Sequence, residues 1–135
     1  MRCLFVADEP DRFMDVAAAL DAAHLATSTQ RSAQAAEQAI QKGRYRIIVI
    51  GTDAYTSESM TFMHRLRDRS TPMLAATHDP KLRGMLLDLG AERVVVLPEQ
   101  EGKLKFALET LLGQSAVSKK DARSGVAMMR GARLF

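Results

Sequence analysis

The sequence predicts an α/β fold, a parallel five-stranded sheet of order 2-1-3-4-5 between two layers of helices, and three observations carry that expectation. Five short apolar runs alternate with five amphipathic stretches between residues 2 and 112. The runs IIVI at 47–50 and VVVL at 94–97 show no polar alternation, which suits parallel strands covered on both faces. Three of the amphipathic stretches end at a glycine, Gly43, Gly90 or Gly113, the residue type that most readily closes a helix.

The first run, RCLFVA (2–7), reads as a strand stopped by the acidic, proline-containing DEPD. From Asp11 to about Ala23, Phe13, Val16, Ala17 and Leu20 recur at spacings of three and four, the period of a helix with one buried stripe. HLATST (24–29) alternates as a second strand. Ser32 is placed to accept a hydrogen bond at the start of the next helix, with Ala36, Ala39 and Ile40 inward and Gly43 at its end. RIIVIG (46–51) is the third strand. Glu58–Arg69 follows as a helix carrying Met60, Met63 and Leu66, then PMLAAT (72–77) as a strand, Pro80–Leu89 as a short helix closed by Gly90, ERVVVL (92–97) as a strand, and Glu99–Leu112 as a helix with Leu104, Ala107, Leu108, Leu111 and Leu112 inside. Right-handed crossovers between parallel strands then leave one arrangement, a flavodoxin-like three-layer sandwich of five βα units. It is expected to occupy residues 1–113, with 114–135 a basic linker or C-terminal extension.

At 135 residues the chain is one domain's length and long enough to bury a core without disulfides or metals. The single cysteine, Cys3, has no partner within the chain, and His24, His64 and His78 show no metal-ligand spacing. No apolar run approaches the roughly 20 residues that span a bilayer, and no signal-peptide layout opens the sequence, so a cytoplasmic location and no membrane partner are expected. The net charge of +3 is unevenly spread. Residues 116–135 hold five basic groups against Asp121, a net of +4, which leaves residues 1–115 with 14 basic and 15 acidic groups, a net of −1. A near-neutral body argues against a DNA-reading face on the domain, so a nucleic-acid module acting through the tail is the weaker alternative.

Open α/β sheets place their sites beyond the carboxyl ends of the strands. The residues there are Ala7, Asp8 and Glu9, then Gly51, Thr52 and Asp53, then Thr77 and His78, then Leu97 and Pro98. With LFVADEP, RIIVIGTD, TPMLAAT, LLDLGAE and VVVLP in that order and spacing, the chain from residue 1 to about 113 resembles the response-regulator receiver domain. The resemblance implies phosphoryl transfer to an aspartate after strand three, helped by a divalent metal on acidic residues after strand one, a Thr or Ser after strand four and a lysine after strand five. This chain departs from that pattern. Gly51 stands at the acceptor position, Leu97 at the lysine, Ala7 at the first acidic position, and Val94 where the family's aromatic reporter stands; Asp8, Thr77 and Pro98 remain.

The resemblance therefore implies a degenerate form, a pseudo-receiver that takes no phosphate, is not an enzyme and needs no cofactor. Phosphoryl transfer rests on positioning and charge neutralisation, and both are lacking. A Mg²⁺ at Asp8 would have about one protein carboxylate, too few for a stored site, and Asp8 reads rather as a carboxylate beside a helix start. Asp53, two residues beyond Gly51, would move its carboxylate about 6–7 Å along an extended chain, into a surface loop. Thr77 is expected to bond locally, Cys3 to be a buried small hydrophobe, and His64 to face solvent; His78 is the histidine placed to line the old pocket. Met14 and Met85 are expected in core packing.

In receivers the fourth helix, fifth strand and fifth helix form the dimer and output face, here carrying Lys81, Arg83, Glu92, Arg93, Val94, Glu99, Lys103 and Lys105. The expected role is a protein-interaction or dimerisation module in bacterial signal transduction, in the setting of cell-cycle or regulated-proteolysis control. Its partner would be another signalling protein, a neighbouring receiver or output domain, or a second copy. A receiver regulated by a small ligand or metal in the altered pocket is the other alternative. The tail stretch ARSGVAMMRGARLF weakly resembles the connector after the first receiver of tandem-receiver, diguanylate-cyclase-type regulators.

Overall fold

Residues 1–53, 57–66, 70–98 and 102–114 are described by the computed structural model. The strands β1 (Arg2–Val6), β2 (Ala26–Gln30), β3 (Ile47–Gly51), β4 (Met73–Thr77) and β5 (Arg93–Val96) form one parallel sheet in the order β2-β1-β3-β4-β5. The helices are α1 (Met14–Ala22), α2 (Ala33–Lys42), α3 (Ser57–Leu66), α4 (Arg83–Asp88) and α5 (Lys103–Gln114). Short 3₁₀ turns, Pro10–Phe13 and Pro80–Leu82, lead into α1 and α4, each opening on a proline, whose missing N–H is no loss at a helix start.

Every residue of β3 and β4 is buried, because helices cover both faces of the sheet's centre. One core gathers Phe5, Phe13, Val16, Leu20, Ile47, Val49, Leu97, Leu104, Leu108 and Leu111 on the α1 and α5 side. The other gathers Leu4, Ile48, Ile50, Phe62, Met63, Leu66, Met73 and Leu86 on the side of α2, α3 and α4. β2 is an edge strand with no fully buried residue, which fits its polar sequence. Ser32 caps α2 as expected, its hydroxyl accepting the Ala35 N–H at 3.1 Å.

The elements depart from the sequence reading in several places; α5, for one, runs through Gly113 to Gln114 and is not closed by that glycine. Phe13 belongs to the 3₁₀ turn, so α1's buried stripe is Phe13, Val16 and Leu20 while Ala17 faces solvent. Met14 is 68% exposed, because it opens α1 on the far side from that stripe; Met85 is half-buried against the second core. In α3 the buried stripe is Phe62, Met63 and Leu66, and Met60 sits at its rim. The second strand starts at Ala26 because α1 ends in a left-handed residue, His24 at φ 61°. There the Leu25 N–H reaches the Leu20 carbonyl and the His24 N–H reaches the Asp21 carbonyl, the paired bonds of a Schellman ending. Gly90, at φ 117°, closes α4 with the same two bonds, from Ala91 to Leu86 and from Gly90 to Leu87.

The start of the fifth helical stretch, expected at Glu99, lies outside the described residues, as does Arg67–Arg69 at the end of the third; the basic tail from Ser115 is also outside them. None of the described helices is long and apolar enough to cross a membrane.

Candidate functional site at the carboxyl ends of the strands

Four strand ends converge as the topology requires, and apolar side chains fill the middle of the convergence. Ala7, just past β1, is 2% exposed, and Leu97, just past β5, is 3% exposed; both belong to the same core as Phe13. Gly51 ends β3 and faces the Phe13 ring. A β-carbon at Gly51 would lie 2.9 Å from Cγ and 3.0 Å from each Cδ of that ring. These atoms sit at the root of a side chain only 1% exposed, so the ring has little room to yield. The acceptor position of the receiver pattern thus lacks a carboxylate and is roofed by a phenyl group. Leu97, where the pattern has its lysine, supplies hydrocarbon in place of charge, and its N–H is held by the Thr77 carbonyl at 2.7 Å. The Leu97–Pro98 peptide bond is cis, and Pro98 is exposed.

Asp53 is not the solvated loop carboxylate expected from the sequence. The chain leaves the strand geometry at Thr52, and the Asp53 side chain folds back toward β4, with only 20% of it exposed. Its Oδ1 accepts the His78 backbone N–H at 2.6 Å and the Thr77 hydroxyl at 3.3 Å. His78 Nδ1 lies 3.0 Å from Oδ1 and 2.9 Å from Oδ2, and the Arg12 guanidinium is 2.9 Å from Oδ2. A carboxylate only accepts, so Nδ1 carries the proton and a neutral His78 would present Nε2 as an acceptor. Burial alone would raise the Asp53 carboxyl, but the hydrogen bonds from His78 and the charges of His78 and Arg12 outweigh it and hold the group below the usual carboxylate range.

Thr77 is fully buried and satisfied: its hydroxyl donates to Asp53 and accepts the Asp79 N–H at 3.1 Å. The bond with Asp79 is the local one expected of it, whereas the bond to Asp53 reaches back 24 positions along the chain. The His78 ring packs against Phe13, their centroids 5.1 Å apart. Arg12 and Phe13, neighbours in one 3₁₀ turn, therefore fasten the first loop twice, by an ion pair to Asp53 and by packing onto Gly51 and His78.

Asp8 and Glu9 are exposed, and neither makes a hydrogen bond to Asp53, Thr77 or His78. The Asp8 carbonyl accepts from Arg31 at 3.4 Å, and Glu9 lies 3.8 Å from Arg12 on an exposed edge. Among the described residues no three His, Cys, Asp or Glu side chains come together in a metal-holding group, and the Asp53 oxygens already face four donors. Cys3 is buried in β1, and burial pushes its thiol up to about 12.

On the α4, β5 and α5 side, Arg83, Arg93 and Lys105 are exposed, while Val94 is half-buried and packs partly into the second core. Sequence reasoning missed Phe106, which is 60% exposed; its ring centroid is 5.7 Å from the Arg93 guanidinium carbon. The signal was there, since Phe106 falls outside the inward stripe of Leu104, Ala107, Leu108 and Leu111. A groove of about 550 Å³ runs between β5 and α5, lined by Arg83, Arg93, Val94, Lys103 and Phe106 among others.

No family model matches the chain, and no curated protein matches it in sequence. Solved structures do. The signal receiver domain of an HD domain-containing protein from Pseudomonas fluorescens superposes with a TM-score of 0.72 at 19% identity, over 85% of this chain and 96% of that one. A chemotaxis response regulator of Vibrio cholerae gives 0.66 at 22%, over 82% and 97%. A response regulator of Thermotoga maritima in complex with Mg²⁺-BeF gives 0.70 at 19%, over 82% and 97%. The chain has the fold of these receiver domains.

Proposed function

We propose that this protein is a pseudo-receiver, a receiver fold that accepts no phosphate and serves bacterial signalling as a protein-docking module. The observation that carries the reading is the Phe13 ring seated on Gly51, where the pattern has its phosphorylated aspartate. Leu97 in place of the lysine and Ala7 in place of the first acidic residue support it, because transferred phosphate would meet hydrocarbon on three sides. Asp53 is no substitute acceptor: its oxygens are engaged by Thr77, His78 and Arg12, and attack would first have to break those bonds.

A partner shifts only an equilibrium whose states it binds unequally, and the paired loops here favour one state. The module then acts as a fixed platform, presenting Arg83, Arg93, Lys105 and the exposed Phe106 on the α4, β5 and α5 face. Exposed aromatic and arginine side chains are the residue types that anchor interfaces. The occupants that suit this face are another signalling protein, an adjoining receiver or output domain, or a second copy of the chain.

Intact-mass measurement after incubation with acetyl phosphate and Mg²⁺ tests the first half: no mass gain is expected, for the parent or for Gly51→Asp alone. A gain of one phosphate on Asp8 or Asp53 would overturn it. Charge reversals at Arg83, Arg93 and Lys105 test the second half, and each should slow association with the native partner while leaving the circular dichroism unchanged. Unchanged association rates for all three would assign docking to another face, with the exposed Met14 side of α1 next in line.

A further inference from the structure

The end of the sheet opposite the pocket carries a second constellation. Arg2 opens β1, and the loop GRYR (43–46) joins α2 to β3 beside it; the Arg46 N–H bonds the Arg2 carbonyl at 2.7 Å. The Arg2 guanidinium is held there by two neighbours. Its carbon lies 4.7 Å from the Tyr45 ring centroid, with Nη2 3.4 Å from the Tyr45 hydroxyl. On the Gly43 side, a β-carbon at that residue would come within 2.8 Å of Nη1 and 3.2 Å of Nη2, so the missing side chain makes the seat. Arg2 stays exposed, and one of its five guanidinium N–H donors meets the Tyr45 hydroxyl.

Beside this fixed arginine is an open depression of about 470 Å³, within the size range of small-molecule sites. Ile40 and Tyr45 give it a small apolar floor over the buried Ile48, Gln41 and Thr71 polar contacts, and Lys42 and Arg44 a cationic rim. No acidic side chain lines it among the described residues, and neither Lys42 nor Arg44 forms an ion pair among them. The near-neutral total of residues 1–115 conceals this cluster, in which Arg2 joins the local pair Lys42 and Arg44 only through the fold.

We infer that this depression binds a nucleotide, its phosphates on Lys42, Arg44 and the bordering Arg2, which reaches it through Gly43 and Tyr45, and its base over Ile40 and Tyr45. Three cations match the charge of a nucleoside diphosphate, and a planar base suits an apolar floor bounded by one aromatic ring. Lys42 also lies in the last turn of α2, where its charge meets the helix's negative end, so Arg2 and Arg44 carry the larger share of phosphate recognition.

Titration calorimetry of the full 135-residue chain with ADP at low salt tests this, against pyrophosphate, adenosine and a single-stranded dT12 as comparison probes. ADP should bind more tightly than pyrophosphate or adenosine, and its affinity should fall as salt rises. Arg2→Glu with Arg44→Glu should reduce ADP affinity by about tenfold or more, the loss expected for two charge-assisted contacts. Gly43→Ala discriminates further. Gly43 is extended at φ −145°, so alanine suits the backbone, and the atoms it displaces are the tip of a flexible side chain. It should keep the fold and every charge yet lower ADP affinity about threefold or more, whereas Arg83→Glu on the docking face should leave it unchanged. Absence of ADP binding at millimolar concentration would overturn the inference. So would equal binding of pyrophosphate, which makes the base irrelevant, or a more than tenfold preference for dT12, which assigns the patch to nucleic acid.

Discussion

Gly51→Ala separates a steric roof over the acceptor position from a position that merely lacks an aspartate. In an ordinary strand this substitution stabilises by roughly 0.5–1 kcal/mol, since glycine loses more freedom on folding. Here the new methyl would stand 2.9–3.0 Å from three atoms of the Phe13 ring, inside normal contact distance, in a core where that ring is 1% exposed. Overpacking of this kind costs about 1–3 kcal/mol, so the net expectation is a loss of about 1–2 kcal/mol. For a domain near 100 residues that is a fall in Tm of roughly 5–10 °C. Phe13→Ala alone should cost about 3–5 kcal/mol through the cavity it leaves. In the double variant the new methyl no longer meets a ring, so its penalty should vanish and the pair should be non-additive by about 1–3 kcal/mol. Urea unfolding of the four proteins measures this cycle. A neutral or stabilising Gly51→Ala, or strict additivity with Phe13→Ala, would refute the packing argument.

Three other outcomes are expected. His24→Gly should raise stability by about 0.5–1 kcal/mol by thermal melt, because His24 is exposed and sits at φ 61°, where a β-carbon is unfavourable and glycine is not. Cys3 should react with a thiol-directed reagent at pH 8 only as fast as the protein unfolds, since burial pushes its thiol up to about 12; rapid labelling of the native protein would contradict this. The Asp53 carboxyl is held below its ordinary value of 3.8, so its ionised form stabilises the fold above about pH 5, and that contribution is lost as pH falls through 4 and below. Unfolding free energies of the parent and Asp53→Asn should therefore converge between pH 6 and pH 3, and a pH-independent gap would show that the carboxylate's charge is not what binds Arg12 and His78.

The residues that could be read in advance act through local pattern. Ile47–Ile50 announce a doubly covered strand because all four are apolar and β-branched, and Ser32 announces a helix start because its acceptor is needed three residues on. Gly51 and Leu97 depart from the receiver pattern by residue type alone, and the proposed loss of phosphoryl transfer starts from them. What filled the space was not legible, because Phe13 meets Gly51 across 38 positions of sequence and no spacing rule pairs a turn with a strand end. Asp53 was misplaced for a related reason: extending the strand geometry carries its carboxylate outward, whereas the chain turns at Thr52 and offers it four donors. Likewise Arg2 vanishes in a charge sum taken along the chain, and only folding sets it over the Tyr45 ring and against Gly43.

The pairing of Phe13 with Gly51 also governs which sequences can be reached from this one. A first step that places any side chain at 51 meets the ring; a first step that shrinks Phe13 leaves a hole in the core shared by Val16, Val49 and Leu97. Either order passes through an intermediate less stable than its parent, and the cost at the second site is removed only after both have changed. Folded proteins hold a small margin above unfolding, so such intermediates sit near the edge of what a cell retains. The two residues thus behave as a mutational latch. Neutral drift can vary Asp8, Glu9 and Pro98 at the exposed rim one at a time, while Gly51 and Phe13 must change together or remain.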